Sequence, residues 1–305
     1  MGTYLSTPNI QKNTIVGHHQ SISYAASDMQ GWRTSMEDSK IIELSLGGDG
    51  MLFGVYDGHG GKEVAIFVSR HFCDVLLQNE NYKKGSYELA LQETYLNMDE
   101  LLFSTESKIE LARIVADLPE DEKEDNGEQE ADLVGCTAVT ALIKNNRIIV
   151  ANAGDSRCIL AKNGEAIAMS HDHKPDNEIE FNRITNAKGW VQGGRVMGNL
   201  NLSRCIGDLE YKKNDGLPPC GQMLTSFPDI AVYEITPDCD FLVLACDGIW
   251  DMLTNQNCVN LIYEGMRNNK TINVIAEEIL DQCLAEEAGG PGCDNMTLII
   301  VKLHE

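Results

Sequence analysis

Short apolar runs separated by polar turns recur along most of the chain and predict a protein rich in β-strands. The runs that predict strands are 22–26, 39–46, 51–56, 136–143, 147–152, 156–162, 166–169, 230–235, 241–245 and 296–303. Apolar residues at helical spacing predict helices at 62–77, 86–115, 175–188, 255–267 and 271–288. Strands and helices occur in blocks, which favours an α+β fold with antiparallel sheets over a doubly wound parallel sheet.

Three segments fall outside this pattern. Residues 1–20 are polar without periodicity and predict an N-terminal arm in front of one domain at 21–305. Residues 117–132 are acidic and predict a mobile loop, which lacks the ligand spacing of an EF-hand. Residues 193–225 are interrupted by glycine and proline and predict an irregular segment.

Composition narrows the function classes. The chain has 305 residues and a formal net charge of −23, which argues against nucleic acid or anionic lipid as the main ligand. The acidic excess is either a solvated surface or, in part, a set of carboxylates that converge on cations. Ten scattered cysteines without a Cys-x-x-Cys pair predict reduced thiols in a cytoplasmic protein.

The first residues resemble an acylation signal. Met1-Gly2-Thr3-Tyr4-Leu5-Ser6 fits the pattern in which Gly2 is myristoylated after removal of Met1, although an ordinary N-terminus explains it equally. Acylation at Gly2 would add peripheral, reversible membrane contact to a cytoplasmic location. No apolar run in the sequence is long enough for a membrane-spanning helix.

Acidic residues recur at the ends of predicted strands. The positions are Asp57, Asp155, Asp247 and Asp294, together with Glu37 and Asp38 just before a strand. Each one alone is explained as a turn former. Together, buried strands that each deliver a carboxylate crowd like charges, which is costly unless a cation neutralises them. Oxygen ligands without clustered His or Cys suit Mg²⁺ or Mn²⁺.

Eight sequence strings then resemble the metal-dependent protein phosphatases of type 2C. In order, they are GWRTSMED at 31–38, VYDGHGG at 55–61, GCTA at 135–138, ANAGDSR at 151–157, DHKP at 172–175, LSRCIGD at 202–208, ACDGIWD at 245–251 and CDNMT at 293–297. The resemblance implies a four-layer α-β-β-α sandwich, with two antiparallel sheets flanked by helices. It also implies a phosphoserine/phosphothreonine phosphatase in which a metal-bridging water or hydroxide attacks directly.

The same resemblance assigns metal positions. They are Asp57, Gly58, Asp247, Asp294, Glu37, Asp38 and Asp155. It implies that Asp57 bridges two Mg²⁺ or Mn²⁺ ions together with the Gly58 carbonyl, and that Asp247 and Asp294 complete the shell of one ion. Glu37 and Asp38 are expected to bind through water, and Asp155 is the candidate for a third, weaker site.

Two further residues are expected to act on the phosphate. Arg33 offers a planar fork for bidentate contact; the alternative, a salt bridge to Glu37 or Asp38, does not exclude that role. His59 is placed to protonate the leaving oxygen, unless it is a surface histidine in a turn. Together with Asp57, these two form the predicted catalytic set.

Other residues near these strings are expected to support the site. Thr137 and Asn295 are predicted to hold the ligands in place, Trp32 and Trp250 to pack in the core, and Cys246 to be a core thiol. The segment 193–225 is a candidate flap that selects substrates.

Two alternatives to an active phosphatase remain open. A pseudophosphatase would bind phosphoproteins without turnover, and a different two-metal hydrolase would cleave other phosphoesters. Departures from the family pattern, such as Cys136 and Cys205-Ile206, exchange packing residues and remove no proposed ligand. The expected partners are phosphorylated proteins, with no nucleic acid, and the expected state is a monomer.

Overall fold

The structure is a computed structural model that describes residues 4–118 and 131–304. Gly2 and residues 119–130 of the acidic loop lie outside the described residues. The strands are β1 (Tyr4–His19), β2 (Ile22–Arg33), β3 (Ser39–Leu46), β4 (Gly50–Tyr56), β5 (Gly58–His59), β6 (Gly135–Cys136), β7 (Ala138–Lys144), β8 (Arg147–Ala153), β9 (Arg157–Lys162), β10 (Glu165–Ala168), β11 (Val191–Gln192), β12 (Arg195–Val196), β13 (Ile206–Gly207), β14 (Asp229–Glu234), β15 (Cys239–Ala245) and β16 (Met296–Lys302). The α-helices are α1 (Glu63–Gln78), α2 (Glu80–Lys83), α3 (Tyr87–Leu102), α4 (Thr105–Ala116), α5 (Glu178–Asn186), α6 (Asp247–Trp250), α7 (Asn255–Arg267) and α8 (Ile272–Cys283).

Two antiparallel sheets form the centre of the molecule. One has the strand order β1-β2-β16-β15-β9-β10, and the other has the order β14-β8-β7-β4-β3. Their facing sides form a buried apolar layer that includes Phe53, Val150, Leu242 and Ile299. Helices α1, α3 and α4 cover the outer face of the five-stranded sheet, and α6, α7 and α8 cover that of the six-stranded sheet. The predicted four-layer α-β-β-α sandwich is confirmed.

Two predicted turns are tight hairpins. Asn145 and Asn146 have φ of 53° and 58° and join β7 to β8, where Lys144 pairs with Arg147. The corresponding positions between β9 and β10 also have positive φ. Asparagine tolerates this conformation, which matches the twist of the flanking strands.

The N-terminal segment differs from the prediction of an arm. Residues Tyr4–His19 form β1, which pairs antiparallel with β2 and lies at the edge of the six-stranded sheet. Lys12 donates to Asp281 of α8 at 2.5 Å, and Thr14 donates to Glu277 at 2.7 Å. Because these contacts are polar and most of the strand is exposed, the apolar pattern carried no signal for β1.

Some helices are also shorter than predicted. The stretch 86–115 is two helices, because Ser104 caps a new helix by accepting a hydrogen bond from the Ser107 N–H at 3.1 Å. Helix α5 spans only Glu178–Asn186 of the predicted 175–188. Within the described residues, no helix is both long and apolar enough to cross a bilayer.

Candidate active site

The predicted carboxylates lie at strand ends that share one end of the sandwich. Tyr56, at the end of β4, pairs with Ser39, and Ala245, at the end of β15, pairs with both Arg157 and Leu298. These pairings align the connections that carry the acidic residues: Glu37, Asp38, Asp57, Asp155, Asp247 and Asp294. Residues far apart in sequence therefore meet because antiparallel neighbours start and stop at the same edge.

The carboxylates are close enough to change each other's ionisation. Burial raises the pKa of Asp57 well above its ordinary value, and four neighbouring carboxylates raise it further: Asp247, Asp38, Asp294 and Asp155. The pKa of Asp247 is also raised well above its ordinary value, by burial first and then by Asp155 and Asp294. Burial raises the pKa of Asp38 to about 7, although the hydroxyl of Thr297 donates to it at 2.6 Å. Like charges are therefore concentrated here with little water to screen them.

The hydrogen bonding of these groups fits a divalent cation. Among the described residues, none donates a hydrogen bond to the carboxylate of Asp57 or Asp247, and the buried Oδ1 of Asp38 has no partner. A ligand oxygen of Asp38, one of Asp57 and the sulfur of Cys246 lie within 4.8 Å of one another. Buried oxygens without donors, among carboxylates that repel each other, are the arrangement that Mg²⁺ or Mn²⁺ would stabilise.

Close backbone packing holds the ligand-bearing loops together. A side chain at Gly58 would place its first carbon 2.5 Å from the carbonyl oxygen of Glu37, so glycine is required there. Asn295 accepts from the Glu37 N–H at 2.9 Å and donates to the Ser35 carbonyl at 2.9 Å. Thr137 donates its N–H to the carbonyl of Asp57 at 2.8 Å. Asn295 and Thr137 thus contact the chain segments that present the carboxylates, as predicted.

Arg33 lies at the rim of this cluster. Its Nη2 donates to Oδ2 of Asp294 at 2.6 Å, an ion pair that the sequence did not predict. Burial lowers the pKa of Arg33, but Asp294 more than compensates and the net shift is upward. About 41% of the side chain remains exposed, which leaves part of the guanidinium accessible to an incoming anion.

Asp155 is already paired with a lysine. Its buried carboxylate contacts Lys174 Nζ at 2.5 Å, so a cation at Asp155 would compete with that ammonium group. Asp251 is a further acidic residue near the cluster, and it was not predicted from sequence. Burial raises its pKa, Lys174 opposes the rise, and Asp155 adds to it. Asp251 lies one helical turn after Asp247, a spacing that could have identified it.

His59 is held by a carboxylate 149 residues away. Its Nε2 lies 2.5 Å from Oδ2 of Asp208, which also accepts from the thiol of Cys205 at 3.1 Å. Burial alone would lower the pKa of His59, but the Asp208 carboxylate raises it above its ordinary value. Asp208 is almost fully buried and adopts a left-handed φ of 49°. In the sequence, Asp208 ends the string LSRCIGD, and nothing in that string predicts its contact with His59.

Three residues behave as packing groups. Trp32 and Trp250 are buried, and Trp250 donates its Nε1–H to the carbonyl of Ala245 at 2.8 Å. Cys246 is buried, and burial raises the pKa of its thiol well above the ordinary value, which keeps it protonated. A neutral thiol is a poor nucleophile, in agreement with the prediction of a core cysteine.

The irregular segment 193–225 contains a small apolar core and a buried ionic network. Glu180 of α5 accepts from Arg204 at 2.7 Å and from the Ser203 hydroxyl at 2.7 Å, and it pairs with Arg183 at 2.5 Å. Although burial opposes ionisation, these donors lower the pKa of Glu180 to about 2. Arg204 also contacts Asp229 of β14 at 2.8 Å, so the network ties this segment to the five-stranded sheet.

Comparisons with known proteins identify the family of this chain. The family model described as Protein phosphatase 2C matches residues 22–290. The chain belongs to this family. It is therefore a serine/threonine protein phosphatase, and the resemblance drawn from its motifs is confirmed.

Full-length relatives of this phosphatase include curated proteins from distant organisms. It is 46% identical to Protein phosphatase 2C 1 of Paramecium tetraurelia, with all of both chains covered. It is 40% identical to Probable protein phosphatase 2C 11 of Oryza sativa subsp. japonica, with all of this chain and 91% of that protein covered. The crystal structure of serine-threonine phosphatase 2C from Toxoplasma gondii superposes with a TM-score of 0.75 at 20% identity, covering 96% of this chain and 99% of that one, which shows a shared fold.

Proposed function

We propose that this type 2C phosphatase hydrolyses phosphoserine and phosphothreonine in proteins with two Mg²⁺ or Mn²⁺ ions held by its carboxylate cluster. The observation that carries the proposal is a pair of partly buried, mutually repelling carboxylates, Asp57 and Asp247, that accept no hydrogen bond from the described residues. Carboxylates in that state are unfavourable in a folded protein unless a cation binds them.

Each residue of the cluster has a proposed part in holding the ions. Asp57, the carbonyl of Gly58, Asp247 and Asp294 would hold the ions directly. Glu37 and Asp38 would hold them through water. Asp155 is the candidate for a third, weaker ion, for which it would have to leave Lys174. Bound there, the ions would activate water as a nucleophile and offset the negative charge of the phosphoryl group.

Arg33 and His59 have different roles towards the substrate. The exposed part of the Arg33 guanidinium binds phosphate oxygens, and its contact with Asp294 fixes its position. His59 donates a proton to the departing seryl or threonyl oxygen, and Asp208 favours the protonated ring that this step requires. Arg33 and His59, with Asp57, are the proposed catalytic residues.

The test is a phosphopeptide assay with and without divalent ions. Turnover of a phosphothreonine peptide in Mn²⁺ or Mg²⁺, abolished by chelator and by Asp57→Asn, supports the proposal. Asp74→Asn is the matched control, because Asp74 is an exposed aspartate with no hydrogen bond among the described residues. Full activity in excess chelator would refute metal dependence, and binding without any turnover would favour a pseudophosphatase.

Acylation of Gly2 remains a separate proposal for a cytoplasmic enzyme with peripheral membrane contact. Intact mass of the protein from eukaryotic expression tests it, and a mass without the acyl group would refute it.

A further inference from the structure

A small cavity lies between α3 and residues 212–222. Its volume is about 170 Å³. One wall is formed by Leu96 and Phe103 at the end of α3, and the other by Leu217 and Pro219. The volume is below the roughly 300–1,000 Å³ of sites for drug-sized ligands, so it suits a single long side chain.

The polar floor of the cavity is already satisfied. Lys212 is buried and donates to Asp99 at 2.7 Å and to the carbonyl of Cys205 at 2.7 Å. The second oxygen of Asp99 accepts from the Gly207 N–H at 2.8 Å. The lysine is therefore neutralised by a neighbour of its own chain and offers no free positive charge to a ligand.

The rim of the cavity carries unpaired negative charge. Glu100 and Asp215 are exposed lining residues, and neither makes a hydrogen bond or ion pair with any described residue. With the floor pair neutral, the lining has a net charge of about −2 at neutral pH. A slot with apolar walls and two free carboxylates in its lining is complementary to an aliphatic stem with a cationic head.

The cavity is coupled in structure to the proposed leaving-group acid. The segment that supplies Lys212 also supplies Asp208, the partner of His59, four residues earlier. Asp99 of the lining accepts from the N–H of Gly207, the residue before Asp208, so hydrogen bonds join the cavity wall to the segment that contacts His59. A substrate is the occupant that both the location and the charge favour.

We propose that this cavity binds an arginine or lysine side chain, followed or preceded by an apolar residue, in the phosphoprotein substrate. The proposal rests on the proposed function, since it names a specificity site for the same reaction. It predicts that the enzyme prefers phosphoproteins with a basic residue at a fixed distance from the phosphorylated one.

The experiment compares phosphothreonine peptides that carry Arg-Leu at successive distances from the phosphoresidue with matched peptides that carry Glu-Leu. The cavity variant is Glu100→Gln/Asp215→Asn, and the reversal is Glu100→Lys/Asp215→Lys. The control is Glu165→Gln/Glu234→Gln, which removes two exposed carboxylates at the far end of the strands. p-Nitrophenyl phosphate serves as a substrate too small to reach the cavity.

At the best distance, the Arg-Leu peptide should have the lower KM. The cavity variant should raise that KM roughly three- to tenfold, as expected for two exposed charge pairs, with kcat and p-nitrophenyl phosphate hydrolysis unchanged. The reversal should make the Glu-Leu peptide the better substrate. The proposal is overturned if no distance gives a preference, if the control variant has the same effect, or if the small substrate is affected equally.

Binding measurements separate this proposal from the proposed function. Fluorescence anisotropy of an unphosphorylated, labelled Arg-Leu peptide requires no turnover. If no phosphopeptide is hydrolysed, the proposed function fails, but weaker binding of this peptide to the cavity variant than to the control still supports the cavity. Equal binding to both variants overturns the cavity site whether or not the enzyme is active.

Discussion

The contact between His59 and Asp208 gives the sharpest test of the proposed mechanism. In Asp208→Asn, the amide keeps the size of the carboxylate but loses its charge, so the protonated form of His59 is no longer favoured. Hydrogen bonds to charged groups contribute roughly 1.5–3 kcal/mol, and this one is 2.5 Å long with a buried acceptor. We therefore expect kcat for a phosphothreonine peptide to fall by roughly 10- to 150-fold.

The assay uses the basicity of the leaving group to isolate this effect. A threonyl oxygen needs a proton as it leaves, whereas p-nitrophenolate is stable without one. Asp208→Asn should therefore slow the peptide strongly and p-nitrophenyl phosphate only slightly, at saturating Mn²⁺. Cys205→Ala is the matched control, because it removes a weaker donor to the same carboxylate and should change both rates little.

A double mutant decides whether the two residues act as one unit. If Asp208 works through His59, then His59→Ala/Asp208→Asn should be no slower than His59→Ala alone. Equal loss with both substrates, or additive losses in the double mutant, would refute the reasoning and assign Asp208 a purely structural part.

Four further outcomes are expected. Asp57→Asn should raise the melting temperature in chelator, because it removes a buried charge, yet reduce the stabilisation by Mn²⁺; an unchanged Mn²⁺ response would contradict this. Without metal, the raised pKa of Asp38 means that the folded state binds a proton at Asp38 more tightly than the unfolded state does. The free energy of unfolding should therefore fall by roughly 2–4 kcal/mol as pH rises from 4 to 7, and by less in Asp38→Asn. Parallel pH profiles of the two proteins would speak against it. Lys174→Met should lower the Mn²⁺ concentration for half-maximal activity by freeing Asp155, and a higher requirement would disprove competition. Deletion of residues 4–19 should lower the melting temperature and promote aggregation seen by light scattering, since it exposes the edge of β2; a soluble, equally stable product would rule this out.

Buried strands and the acidic residues that follow them could be predicted from sequence. The runs that became β4 and β15 are apolar throughout, and both are buried on both faces. Such strands have no solvent-facing positions, so their ends are marked by the first polar residue, which is Asp57 or Asp247. The same property that identifies the strand therefore identifies the candidate ligand.

Elements held by polar contacts could not be predicted in this way. β1 is recruited to the sheet by backbone pairing and by links from Lys12 and Thr14 to α8. The contact of His59 with Asp208 depends on a left-handed residue and on two segments 149 residues apart. Neither leaves a periodic signal, because hydrogen-bond partners are specified by the fold and not by local spacing.

The carboxylate cluster also connects folding to function. The strands that build the sandwich deliver Asp57, Asp247 and Asp38 into one poorly solvated space, where burial first and mutual repulsion second raise their pKa values. The packing of the two apolar sheets holds these carboxylates together. The strand ends fix their positions, and the carboxylates do not attract one another. Without a cation the carboxylate cluster destabilises the folded protein, and with a divalent cation bound it stabilises the folded protein. The affinity of the site for metal and the instability of the metal-free protein should therefore rise and fall together, and a substitution that relieves one should weaken the other.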